Sequence, residues 1–142
     1  MLTRIDHVGI ACQDLDAAIA RYESTFGLTV VAREVNDEQG VEEVMLRVAE
    51  GPMGASHVQL LRPLGPDTPV GKYVAKRGEG IHHIAYGVDD AAASLAELEG
   101  RGVRLIDRTP RHGAMGSSIG FLHPKDMGGV LTELVQAATP AP

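Results

Sequence analysis

Tryptophan is absent, aromatic residues make up 4% of the chain, and there is one cysteine, Cys12. A single thiol cannot close an internal disulfide and has no partner for a thiolate metal site, so Cys12 reads as a small buried hydrophobe. Positive charge is also scarce: 13 Lys and Arg against 19 Asp and Glu leave a net charge of −6. That balance argues against a general nucleic-acid or membrane surface, since both need a positive field. No stretch approaches the roughly 20 apolar residues that span a bilayer. Arg4 and Asp6 break the only short apolar run after Met1, so no leader is expected and the cytoplasm is the expected location. What is present is ample for a core: 142 residues, 44% of them apolar, suit one compact domain or two small fused modules.

The chain repeats itself. Ile5-Asp6-His7-Val8-Gly9-Ile10-Ala11 returns as Ile81-His82-His83-Ile84-Ala85-Tyr86-Gly87, and each copy leads into an Asp-started, Ala-rich helical stretch closed by a glycine, Gly27 or Gly102. At nearly the same offset, Val58-Gln59-Leu60-Leu61 is matched by Thr132-Glu133-Leu134-Val135. The spacing selects His83, not His82, as the equivalent of His7. Duplication of this kind gives each half one imidazole and one oxygen ligand, a natural way to assemble a metal site.

Alternation and caps divide each half into βαβββ. Strands are expected over 3–12, 28–35, 41–49 and 56–62, with a helix between the first two capped by Asp14 and carrying Leu15, Ala18, Ile19, Tyr22 and Phe26 on its buried stripe. A linking helix capped by Thr68, with Pro69 in its first turn, closes at Gly78. The second half repeats the order: a strand over 81–88, a helix capped by Asp89 or Asp90, and strands near 103–108, 117–122 and 129–136. Residues 137–142 hold no periodic apolar pattern and are expected to fray. The expected fold is therefore α+β: two tandem βαβββ modules, about 3–62 and 80–137, joined by a linker helix over about 63–79, form an open curved sheet around a metal-centred cavity within a single domain.

Strand alternation sorts the chemistry onto faces. His7 shares a face with Gly9 and Ala11, and His83 with Ala85 and Gly87, residues too small to fill the space beside an imidazole. Gln59 and Glu133 sit mid-strand among apolar neighbours, where a polar group without a partner is costly. A lone strand histidine is usually a hydrogen-bonded core residue. The joint recurrence of His7, Gln59, His83 and Glu133 is what argues for a shared divalent ion such as Co²⁺, Mn²⁺, Ni²⁺ or Zn²⁺, with positions left open for substrate. In the third strand, Val41, Glu43 and Met45 face that cavity while Val44, Leu46 and Val48 are expected to pack beneath a helix. Burial in apolar company would strengthen Glu43 as a general base, whereas Glu42, on the opposite face, reads as a solvated charge or an interface residue.

These residues carry a resemblance. IDHVGIA, EQGVEEVML from Glu38 to Leu46, HVQLL, GIHHIAY and FLHPKDMGGVLTEL from Phe121 to Leu134 resemble the methylmalonyl-coenzyme A epimerases of the vicinal oxygen chelate superfamily. The resemblance implies His7, Gln59, His83 and Glu133 as ligands of a divalent ion, Co²⁺ foremost, and Glu43 as the base. It implies a homodimer as well. If a malonyl thioester chelates that ion through its carbonyl and its carboxylate, the expected chemistry is proton abstraction at C2 of an acyl-CoA substrate and reprotonation of a metal-bound enolate from the opposite face, by Glu133 or a water held by the metal. A Ser117-Ser118 pair stands where such sequences often have an amide or basic residue. Ser117, Ser118, Lys76 and Arg77 are the substrate-binding candidates, with Lys72, Arg108, Arg111 and Lys125 as further cations. The competing readings are a glyoxalase-type isomerase acting on a glutathione thiohemiacetal, a 2-His-1-carboxylate oxygenase, and a non-catalytic small-molecule binder of the same fold.

Overall fold

The computed structural model describes residues 1–50 and 56–139, so the part of the expected frayed tail over 140–142 lies outside the described residues. The elements follow the expected order: β1 Leu2–Ala11, α1 Leu15–Phe26, β2 Thr29–Asn36, β3 Val41–Ala49, β4 Ser56–Pro63, α2 Pro69–Arg77, β5 Gly80–Val88, α3 Ala91–Gly100, β6 Arg111–His112, β7 Ser118–Leu122 and β8 Thr132–Gln136. Among the described residues no helix is long and apolar enough to cross a membrane. Two compact units emerge, one of His7–His82 and one of Met1–Asp6 with His83–Pro142.

Within the unit of His7–His82 the strand order is β2-β3-β4-β1, with β2, β3 and β4 antiparallel and β1 parallel to β4. Asp14 caps α1 by accepting the Ala17 N–H at 3.0 Å, and Gly27 ends it at φ 68°, a left-handed conformation glycine adopts without strain. The helix buries Leu15, Ala18 and Ile19 against Cys12, Val44, Leu46 and Leu60. Those side chains belong to one face of the strands. The other face presents Val41 and Ala11 to Val70 and Val74 of α2, whose start is fixed by Thr68 accepting the Gly71 N–H at 3.0 Å.

The second unit repeats the plan, with order β5-β8-β7-β6 and β5 parallel to β8. Asp90 caps α3, and Leu95 packs with Val88, Leu122 and Leu134. Gly120 makes that contact possible, because a Cβ there would stand 2.5 Å from a Leu95 methyl. The opposite face gathers Ala85, Ile119, Phe121 and Val135.

Four expectations are corrected. The strand near 103–108 is reduced to a single bridge, Leu105 to Leu122: the Ile106 and Asp107 N–H groups both donate to the one Phe121 carbonyl, at 2.9 and 3.2 Å, while side chains interrupt the ladder, Asp126 accepting the Arg104 N–H at 2.7 Å and Asp107 accepting the Phe121 N–H at 2.9 Å. The strand pairing lost there is made by Arg111–His112 instead. Phe26 leaves the buried stripe and is exposed in the last turn of α1, beside Tyr22. Val48 is also exposed, since the register shift between Arg47 and Ala49 carries it past the end of the helix-covered surface. Finally, Gly87 does not leave an empty space, because the Arg4 guanidinium, clasped by Asp6 at 2.8 Å, lies 2.6 Å from where a Cβ at Gly87 would be.

Candidate active site

Register decides which polar residues meet in the unit of His7–His82. His7 lies opposite His57 and Gly9 opposite Gln59 in the β1–β4 pair, while Met45 lies opposite Gln59 and Glu43 opposite Leu61 in the β3–β4 pair. Glu43 and Gln59 are thus diagonal neighbours on one face, within side-chain reach. Gln59 Nε2 donates to Glu43 Oε2 at 2.9 Å, and Glu43, Gln59 and His7 are all buried.

That hydrogen bond leaves Gln59 with a definite orientation. Its amide nitrogen is committed to Glu43, so Oε1 points elsewhere, and this oxygen is buried with no hydrogen-bond partner among the described residues. Leaving a buried acceptor unanswered costs about 1–3 kcal/mol. A divalent cation answers such an oxygen, so the donor set here fits a metal.

Glu42 shows what the neighbouring position does. Its carboxylate accepts from Arg33 Nε of β2 at 3.2 Å and from Arg62 Nη2 of β4 at 3.1 Å, and these hydrogen bonds hold its carboxyl below the usual range. One residue along the same strand therefore separates a half-buried carboxylate held by two arginines from a fully buried one on the opposite face, the face separation that period-two alternation anticipates.

In the second unit His83 Nε2 lies 3.1 Å from Glu133 Oε2, and both side chains are buried. Glu133 is set opposite Ala85 of β5 and opposite Phe121 of β7. The Phe121 ring meets the His83 imidazole edge-on, with centroids 5.5 Å apart and an 84° interplanar angle. The imidazole is thereby held by carbon on one side and aimed at a carboxylate on another.

The substrate-binding candidates fare unequally. Ser117 is buried, and a Cβ on Gly113 would approach its Oγ to 2.6 Å. Ser118 is half-buried at the start of β7, opposite Gln136. Lys76 and Arg77 are exposed on the last turn of α2, where Arg77 lies over the Tyr73 ring at 5.9 Å. Sequence reasoning ranks Arg111 with the surface cations, but its side chain is only 30% exposed and lies over Phe121. The alternation that puts Ile119 and Phe121 on the face of Glu133 is the one sequence signal that bears on it, and it does not place Arg111 by itself.

Comparison with known proteins places these features. The model of the Glyoxalase/Bleomycin resistance protein/Dioxygenase superfamily matches residues 6–121. The chain is 38% identical over 138 residues to the ethylmalonyl-CoA/methylmalonyl-CoA epimerase of Cereibacter sphaeroides, covering 96% of this chain and 99% of that one. It is 38% identical over 137 residues to the mitochondrial methylmalonyl-CoA epimerase of Homo sapiens, covering 96% and 75%. Among solved structures, a Streptomyces coelicolor methylmalonyl-CoA epimerase in which a glutamate is replaced by glutamine, in complex with 2-nitronate-propionyl-CoA, superposes with a TM-score of 0.96 at 54% identity, covering 98% of this chain and 100% of that one. The chain belongs to the glyoxalase/bleomycin resistance/dioxygenase superfamily and, within it, to the family of methylmalonyl-CoA epimerases.

Proposed function

We infer that this protein is an isomerase that interconverts the (R) and (S) epimers of methylmalonyl-CoA. The observation that carries the reading is the Glu43–Gln59 pair: a buried carboxylate held by an amide nitrogen whose own oxygen is left to find a cation. Identity of 54% to an epimerase solved with an acyl-CoA nitronate supports it, because a nitronate is planar and spreads its charge over two oxygens, as an enolate does.

In this reading His7, Gln59, His83 and Glu133 hold one divalent ion, Co²⁺ ahead of Mn²⁺, Ni²⁺ or Zn²⁺. When bound, that ion neutralises negative charge developing on the thioester and carboxylate oxygens of the substrate, which acidifies the C2 hydrogen. Glu43 takes the C2 proton as the C–H bond breaks, and the electron pair passes into the thioester carbonyl. Burial among Val41 and Met45 keeps water from competing for that carboxylate, and the Gln59 N–H fixes its orientation. Reprotonation on the opposite face, from Glu133 or a water, completes inversion. Ser117 and Ser118 contribute hydroxyls to the acyl-CoA site, and Lys76 and Arg77 contribute charge toward the CoA phosphates. A homodimer belongs to the same proposal, on the resemblance to epimerases, and a cytoplasmic location belongs to it on the charged Arg4 and Asp6 in the first apolar run.

The test is proton exchange. Starting from either epimer of methylmalonyl-CoA in deuterated water, NMR should show the C2 hydrogen replaced as the centre inverts, with the thioester intact and no oxygen consumed. Added divalent metal should raise the rate and a chelator should abolish it. Turnover of a glutathione thiohemiacetal with no exchange at C2 of methylmalonyl-CoA would overturn the reading in favour of a glyoxalase-type isomerase.

A further inference from the structure

Arg111 differs from the other cations near it. It lies opposite Ile119 in the β6–β7 pair, and directly opposed residues project to the same face. Ile119 packs with Ala85, Phe121 and Val135, and Phe121 lies opposite Glu133. Arg111 therefore shares the face of Glu133 and His83. Its guanidinium carbon is 5.9 Å from the Phe121 ring centroid, and that ring in turn touches His83. Its side chain is 30% exposed, against 80% for Arg108.

The guanidinium is held without being satisfied. Asp107, which also accepts the Phe121 N–H, takes a hydrogen bond from Arg111 Nη2 at 3.3 Å. Arg111 Nε lies 2.9 Å from Asp107 Oδ1 as an ion pair without hydrogen-bond alignment, and this buried N–H has no hydrogen-bond partner among the described residues. A guanidinium has five N–H donors in a planar fork, and the planar two-oxygen group it suits best is a carboxylate.

We propose that Arg111 receives the free carboxylate of the malonyl thioester and so separates 2-carboxylated acyl-CoA substrates from plain acyl-CoA. The inference rests on the epimerase reading above. CoA phosphates offer the same anionic chemistry, yet the whole pantetheine arm stands between them and the thioester, whereas Arg111 and His83 both contact the Phe121 ring. A carboxylate has lone pairs enough for more than one partner.

Malonyl-CoA carries a carboxylate where propionyl-CoA carries a methyl group, and the two share every phosphate, so their dissociation constants, measured by calorimetry on metal-loaded protein, isolate the contact. Arg111→Gln should weaken malonyl-CoA by about 10–100-fold, the usual worth of a charged hydrogen bond, and leave propionyl-CoA unchanged. Arg111→Lys should recover part of the loss, and the KM of methylmalonyl-CoA should rise more than kcat falls. Asp107→Asn loosens the staple but keeps the guanidinium, so it should preserve the preference for malonyl-CoA. Equal weakening of both ligands by Arg111→Gln, as a phosphate contact or a merely structural role requires, overturns the inference, and so does no weakening of either. Because ligand binding is the readout, absent proton exchange in the wild-type protein would defeat the epimerase reading separately.

Discussion

The two units carry the same face with its charge moved. In one, Met45 and Glu43 of β3 stand opposite Gln59 and Leu61; in the other, Phe121 and Ile119 of β7 stand opposite Glu133 and Val135. Matching position to position, the place of the amide Gln59 is taken by the carboxylate Glu133, and the place of the carboxylate Glu43 by the apolar Ile119. Each half thus keeps one acid on this face of the strand pair. In the second half it sits beside an imidazole, 3.1 Å from His83, and in the first it sits beside an amide, 2.9 Å from Gln59. On the proposed assignment, duplication supplies two equivalent donors, Gln59 and Glu133, and divergence at one diagonal leaves the carboxylate of Glu43 for proton chemistry.

The sharpest break of that contrast is Glu43→Gln. It should preserve fold and metal content while lowering kcat by roughly 10²–10⁴-fold, the range for loss of a positioned base, whereas Glu42→Gln should leave turnover nearly unchanged. Steady-state kinetics on both variants checks this, and reversed effects would mean that β3 is one residue out of register. Next in size is His83→Ala, which should reduce metal affinity by at least the roughly 10–100-fold that loss of even an outer-shell partner costs, with activity falling in parallel. Metal titration by calorimetry reads it, and full activity in a metal-free His83→Ala protein would end the four-ligand proposal.

Making the halves alike is subtler. Gln59→Glu puts a second carboxylate where an N–H now meets Glu43, so metal affinity should rise while like-charge repulsion turns Glu43 away and kcat falls by about 10-fold or more. A variant with wild-type kcat would show that the Gln59 hydrogen bond does not orient the base. The smallest effect is on acid stability. Hydrogen bonds from Arg104 hold the Asp126 carboxyl at about 2, below its ordinary 3.8. A depressed pKa stabilises the fold above the unfolded value, so this contribution should be complete above about pH 4 and fade as pH falls toward 2. Urea midpoints across that window should converge for wild type and Asp126→Asn.

Much of this was legible in the sequence for a physical reason. Period-two alternation separates Glu43 from Glu42 whatever the fold around them, and the caps Asp14, Thr68 and Asp90 announce helices through local hydrogen bonds alone. Cross-strand register is not local. That Gln59 turns its amide to Glu43 follows from Met45 standing opposite Gln59, which neither strand records by itself. The segment 103–108 looked like a strand because Val103, Leu105 and Ile106 favour one, yet Asp126, 22 residues on, takes the Arg104 N–H, and Asp107 of the segment itself takes the Phe121 N–H across the gap. Arg111 was hidden for the same reason, since its depth depends on Phe121 beneath it.

Arg4 filling the space over Gly87 has a practical side. The guanidinium rests on the strand that carries His83, so the side chain at position 4 acts directly on β5. Arg4→Ala should open a gap over Gly87, loosen β5 and lower metal affinity measured by calorimetry. Gly87→Ala should crowd the same guanidinium and disturb the same strand, so the imidazole is reached from a position far from it in sequence through one missing methyl group.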